Sequence, residues 1–163
     1  MRLNTTVIGT RLTGTSVLFS ILDVLASVGR DWEMLHGLPA QSPVFQVSLR
    51  TLDGAPYWDV NGRKITPDGK LTEAPEPDLI IVSDLHLDPN GHLPEEFNPV
   101  ADWLSEAYAR GAIVTSVCSG SILLGAAGLL DGKEATTHWG YADMLGRNFP
   151  KVKVCRERIL VAA

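Results

Sequence analysis

The chain has 163 residues, 45% of them apolar and 20% charged, with a net charge of −5. That is the balance of one ordinary globular domain, long enough to bury a core. The acidic charge argues against a nucleic-acid surface on this chain itself, and no apolar run approaches the ~20 residues of a bilayer span.

In chain order, Thr5 to Gly9 forms a short apolar strand candidate. Thr15 to Val28 places Val17, Leu18, Ile21, Leu22, Val24, Leu25 and Val28 on a helical stripe, closed by Gly29 as a C-terminal cap. Val44 to Leu52 alternates as a strand, with Phe45, Val47 and Leu49 on one face. Tyr57 to Ile65 encloses Asn61-Gly62, a strong hairpin signal. Leu79 to Val82 is a fully apolar strand of the kind buried on both faces.

Asn98-Pro99 opens a helix that runs to Arg110 and stops at Gly111. A strand ending near Val117 and a helix beginning near Ser119 follow, and Asp131-Gly132 makes a turn. Tyr141 to Asn148 is a short helix ended near Pro150, and Val152–Val154 and Ile159–Ala162 are the last strand candidates. Strands and helices in series predict an α/β fold, a mostly parallel sheet covered on both faces. The final run Ile159-Leu160-Val161-Ala162-Ala163 has no turn signal or polar tail behind it. We therefore expect a chain truncated at its C-terminus, a single domain of a longer polypeptide.

The segment Ala112 to Gly125 holds the main chemical signal: a β-branched run stops at Cys118 and restarts as a helix. That is the pattern of a nucleophile elbow, which needs small residues two before and two after; here they are Ser116 and Gly120. A thiol so placed faces free backbone N–H groups and the positive end of a helix dipole. Thr136-Thr137-His138-Trp139 supplies the best imidazole partner. By switch-point logic the cleft should lie at this carboxyl edge, with Ser83, Asp84, Cys118, Ser119 and His138 as the candidate ligand-binding residues. The bland account of Cys118 is a small, inert thiol at a tight turn, and that of His138 a ring bonded to a loop.

Other candidates are weaker. His86 and His92 near Asp84 and Asp88 lack tight ligand spacing, so a polar loop is expected and no metal. Cys155, among Lys151, Lys153, Arg156 and Arg158, reads as a strand residue without a pairing partner. The two cysteines stand at unlike sites with no signal-peptide pattern, so a reducing cytoplasm is expected rather than a disulfide framework. No Gly-Lys-Ser/Thr ending makes a phosphate loop, and no cofactor is expected.

The stretch from Gly111 to Pro150 resembles the ThiJ/PfpI branch of the class I glutamine amidotransferase-like superfamily, most of all the N-terminal domains of AraC-type transcription regulators. The resemblance rests on Val117-Cys118-Ser119-Gly120-Ser121, Ala126-Ala127-Gly128-Leu129-Leu130-Asp131-Gly132, Ala135-Thr136-Thr137-His138-Trp139 and Tyr141-Ala142-Asp143. Asp23 to Glu33 resembles the first helix of the regulator subgroup more loosely. The resemblance implies a flavodoxin-like, glutamine amidotransferase-like fold and, in a regulator, a DNA-binding domain beyond residue 163. DNA contact would come only through that domain.

Enzymes of this branch are understood to use the elbow cysteine, an acid after the first strand and a Gly-rich loop after a later one. Here Cys118 and His138 match, but the acid position falls at about Val17, and Ser83-Asp84-Leu85 stands where the enzymes carry Pro-Gly-Gly. The expected function is therefore a non-catalytic sensor or oligomerisation domain that binds a small metabolite at the Cys118 elbow, homodimeric as most soluble assemblies are. The alternatives are a cysteine-dependent hydrolase, hydratase or amidase with Cys118 as nucleophile, or a sensor in which oxidation of Cys118 is the signal.

Overall fold

A computed structural model describes residues 2–39 and 41–162. Strand β1 (Leu3–Ile8) leads through a loop to helix α1 (Thr15–Ser27) and the single turn α2 (Asp31–Leu35). Strand β2 (Phe45–Thr51) follows, then the hairpin β3 (Tyr57–Trp58) and β4 (Lys64–Ile65), and the short strand β5 (Gly69–Lys70). Strand β6 (Leu79–Val82), helix α3 (Asn98–Ala109), strand β7 (Ile113–Ser116) and helix α4 (Ser121–Ala126) come next. The chain closes with β8 (Glu134–Ala135), α5 (Ala142–Asn148) and β9 (Lys153–Val154).

The main sheet has five strands in the order β5-β2-β1-β6-β7, every pair parallel. Its hydrophobic pattern explains why. Val7 lies level with Leu49 and Ile81, and Ile8 with Val82. Successive side chains on a strand point to opposite faces, so Val7, Leu49 and Ile81 pack with Leu18 of α1 and Ile65 of β4 on one side. Ile8, Ile80 and Val82 pack on the other with Leu104 of α3, Ile122 and Leu123 of α4, and Leu145 of α5. Two cores, one per face, make three layers with the sheet between them. Each fully buried Leu or Ile contributes about 1.5–3 kcal/mol relative to exposure.

The local signals set the element ends. Gly29 and Gly111 take positive φ after α1 and α3, a conformation open to a residue without Cβ. Asn61-Gly62 turns the β3–β4 hairpin, where Asp59 accepts the N–H groups of Asn61 and Arg63 at 2.9 and 2.7 Å. The short elements α2, β5 and β8 carry no period that a sequence reading detects.

One expected strand is not formed. Ile159–Ala162 pairs with no strand among the described residues, and Ala163 lies outside them. Arg158 is tied down by Glu134 at 2.7 Å and by its own carbonyl, which accepts Thr136 Oγ1–H at 2.6 Å. Ile159 and Leu160 beyond it stand in solvent. β-branching favours an extended chain, but a strand also needs a ladder partner. Strand β7 is likewise an outer strand, and Ile113 on it is 68% exposed.

No helix among the described residues is long and apolar enough to cross a membrane.

Candidate functional site

Cys118 stands directly after β7 and Val117, in a turn of 3-10 helix (Cys118–Gly120) that runs into α4. The expected elbow is present, with regular helix starting at Ser121 rather than at Ser119. Cys118 has φ +57, the only non-glycine residue among those described with a positive φ. For an L-residue that conformation costs about 1–2 kcal/mol, so the surroundings must impose it.

They do so on several sides. Val117 N–H bonds to the Val82 carbonyl at 2.9 Å, fixing the strand end, and Gly120 N–H closes back on the Val117 carbonyl at 3.0 Å. Ser119 Oγ accepts Leu85 N–H at 2.8 Å and donates to the Leu85 carbonyl at 2.7 Å, clamping the elbow to the chain beyond β6. Thr137 Oγ1 donates to the Cys118 carbonyl at 3.2 Å. At Gly120 a Cβ would stand 2.4 Å from the Ser83 carbonyl oxygen and 2.7 Å from that of Val82. Only glycine fits there, which is the physical content of the small-residue rule.

The thiol itself is exposed and forms no hydrogen bond among the described residues. It opens into a cleft of about 450 Å³ whose walls include Ser116 of β7, Ser121, Leu124, Thr137 and His138. His138 thus shares the cleft with Cys118, but its ring is held elsewhere. Nδ1 accepts Gly140 N–H at 3.2 Å, and the ring lies near Trp139 and Tyr141. A neutral imidazole that accepts at Nδ1 carries its proton on Nε2. In this tautomer neither nitrogen is free to take a proton from sulfur.

Ser83, Asp84 and Ser119 do not line the cleft. Ser83 is 0% exposed, Asp84 4% and Ser119 1%, so the structure does not bring these side chains to the cleft beside Cys118. The reason is the switch-point crevice itself. The chain passes from β1 to β2 on one side and returns to β6 on the other, which leaves a crevice between the carboxyl ends of β1 and β6. Asp84 closes it. Its carboxylate accepts Gly14 N–H at 3.1 and 3.2 Å at the start of α1, and Ser83 Oγ–H at 3.1 Å. His86 Nε2 lies 3.1 Å from Asp84 Oδ2, and His86 N–H bonds to the Leu12 carbonyl at 2.7 Å. The crevice is zipped shut, and the open space lies to either side of it.

Val17, where the resemblance places the enzymes' acid, sits half-buried within α1. His86 and Asp88 hold loops, the latter accepting Asn90 N–H at 2.9 Å, and no metal-holding group of residues occurs among those described. Cys155 is a free, half-buried thiol, as Cys118 is a free exposed one. A sequence reading misses the roles of Thr137 and Tyr141. Tyr141 Oη donates to the Leu87 carbonyl at 3.1 Å and accepts Leu87 N–H at 3.2 Å, bracing the same loop that Ser119 clamps. The one hint is that polar Thr-Thr-His and Tyr141 cluster in a stretch with no strand or helix period.

Comparison with known proteins agrees with this geometry. Residues 21–163 match the model of the DJ-1/PfpI family. An isonitrile hydratase from Pseudomonas putida is 39% identical over 110 residues, 65% of this chain and 45% of that protein. The HTH-type transcriptional regulator GbdR from Pseudomonas aeruginosa is 33% identical over 145 residues, 84% of this chain and 37% of that protein. This chain therefore spans less than half of either relative's length. The crystal structure of an AraC family transcriptional regulator from Pseudomonas putida superposes with a TM-score of 0.71 at 20% identity, over 94% of this chain and 76% of that one. Elbow, parallel sheet and family match converge: the chain belongs to the DJ-1/PfpI family.

Proposed function

We propose that this is the sensor domain of an AraC-type transcription regulator, which binds a small metabolite in the Cys118 cleft and does not turn it over. The observation that carries the reading is the state of the elbow. Cys118 keeps its strained geometry, while the groups that would make it a catalyst are absent or engaged. Val17 stands at the acid position, His138 Nδ1 is occupied by Gly140 N–H, and Asp84 is turned into the β1–β6 crevice. A nucleophilic thiol needs a base within reach and donors for the developing oxyanion. The ligand would meet Cys118, Thr137 and His138 at the mouth and Leu124 deeper in.

DNA contact would come through a domain beyond this chain, as the likeness to GbdR suggests. A homodimer fits the apolar surface on α1 and α2, where Val24, Val28, Trp32, Met34 and Leu35 are all exposed. The test of the regulator reading is the polypeptide that follows Ala163 in the complete gene. A basic helical region with helix-turn-helix motifs is the expected result, and any other type of domain, or none, counts against it.

The second reading is a cysteine-dependent hydratase, hydrolase or amidase with Cys118 as nucleophile. The 39% identity to an isonitrile hydratase favours it. It would require the His138 ring to leave Gly140 and turn to the thiol.

A further inference from the structure

The outer edge of the main sheet carries unmet backbone groups. Ile113 and Val117 N–H bond inward, to the carbonyls of Asp78 and Val82 at 3.0 and 2.9 Å. Every second residue of a strand bonds to the same neighbour, so Val114 and Ser116 turn their N–H and C=O groups away from β6. Among the described residues β7 is the last strand of the sheet on this side, and those groups have no strand partner. Val114 and Ser116 both line the Cys118 cleft. One wall of the cleft is therefore a row of backbone donors and acceptors at strand spacing, which another extended backbone matches.

The same cleft is lined by Ile159, Leu160 and Val161, the first two almost wholly exposed. We propose that Ile159–Ala162 is a strap that closes onto β7 as a sixth strand and shuts the Cys118 cleft, the arrangement described above being its open state. Its four residues span about 13 Å when extended, the length of β7 (Ile113–Ser116). Both faces of the vacant position are apolar. Leu124, Leu129 and Leu130 line the cleft with Val114 on one side, and Ile113 and Val117 are 68% and 38% exposed on the other. An unbroken apolar segment fits a strand covered on both faces.

Arg158 is the hinge. Glu134 holds its side chain and Thr136 Oγ1–H its carbonyl, so the strap starts from a fixed point and its docking is intramolecular. An open strand edge and an exposed apolar segment are each unfavourable in water, and closure removes both. A strap beside Ser116 ends two residues from Cys118 and bars the way to the thiol. On the sensor reading, a metabolite in the cleft keeps the strap off, so that strap position reports binding. That coupling rests on the sensor reading; the strap itself does not.

The test is amide hydrogen exchange of the full chain, wild type against Leu160→Pro/Val161→Pro. Whichever of those two N–H groups faces β7 is lost in the variant. Val114 and Ser116 should exchange slower in wild type by roughly tenfold or more, while Ile8 and Ile80 inside the sheet exchange alike in both. Leu160→Asp keeps the backbone donors but carries a charge into the docked strand, and should speed the same two amides. Alkylation of Cys118 by a bulky maleimide should be faster in both variants than in wild type. Equal exchange at Val114 and Ser116 in wild type and both variants would overturn the strap, and equal alkylation would overturn its closing of the cleft. Protection that fades on dilution together with a dimer would overturn it as well, because the edge would then be covered by a second copy.

Discussion

At the carboxyl end of β6, Ser83 and Asp84 are buried and bonded to each other, and Asp84 accepts Gly14 N–H from the β1 loop. At the carboxyl end of the neighbouring β7, Cys118 is exposed, strained, and without a hydrogen bond to its sulfur among the described residues. One sheet edge thus holds a closed region beside an open one. The closed region explains the open one. A residue stays at φ +57 only where its neighbours leave it no alternative, and the chain beyond β6 supplies that constraint. Ser119 clamps Leu85, and Gly120 packs on the carbonyls of Val82 and Ser83. In an enzyme of this type the loop after β6 would also serve the reaction. Here it is bonded into the scaffold, Asp84 to Gly14 and Leu85 to Ser119.

The strongest way to break this contrast is at the contact between the two regions. Gly120→Ala places a Cβ 2.4 Å from a backbone carbonyl that cannot rotate away. We expect a loss of about 3 kcal/mol by urea unfolding. Gly125→Ala meets the Phe149 ring at a similar 2.6 Å; a side chain can give way, so it should cost clearly less. If the two substitutions were equally mild, the packing of the elbow on β6 would not be the constraint.

Asp84→Ala comes next. It removes the acceptor of Gly14 N–H and of Ser83 Oγ–H inside a closed crevice and should cost about 2 kcal/mol. It should also speed amide exchange at Gly14 and His86. Unchanged exchange would show that the crevice is closed by something other than this carboxylate.

A smaller effect separates the strain from the fold. Cys118→Gly relieves the left-handed conformation but loosens the unfolded chain, so the net should be a gain of up to about 1 kcal/mol. A clear loss would mean that the thiol is a packing element and not a strained, presented group.

On the other flank, Tyr57 gives a pH signature. Its pKa is raised to about 12 by burial, with help from Asp59 and Asp84. The unfolded phenol ionises near 10, so between those values the folded state holds the proton that the unfolded state has lost. Stability should therefore be full below about pH 10 and fall as pH rises toward 12. Tyr57→Phe should remove that part of the alkaline loss, as read by unfolding midpoints from pH 9 to 12.

The sequence was informative wherever one residue type dictates local geometry. The elbow follows from Ser116, Cys118 and Gly120, the hairpin from Asn61-Gly62, and the buried strand from an unbroken apolar Leu79–Val82. Val17 and the Ser83-Asp84 pair are legible as departures from a catalytic pattern for the same reason. What escaped depends on distant partners. Nothing in Asp84 announces that it will accept a backbone N–H seventy residues away, so a buried bracket read as a ligand-facing group. His138 shows its chemistry in the sequence but not its rotamer, and that rotamer binds it to Gly140. Ile159–Ala162 has strand composition, yet whether a strand forms is set by a partner and not by composition.

The most direct test of the central claim is turnover by the full-length protein, assayed over isonitrile, amide and ester substrates for wild type and Cys118→Ser. The account predicts no appreciable turnover by either, together with alkylation of Cys118 in the wild type by a thiol reagent. Turnover that is present in wild type and vanishes in Cys118→Ser would contradict it.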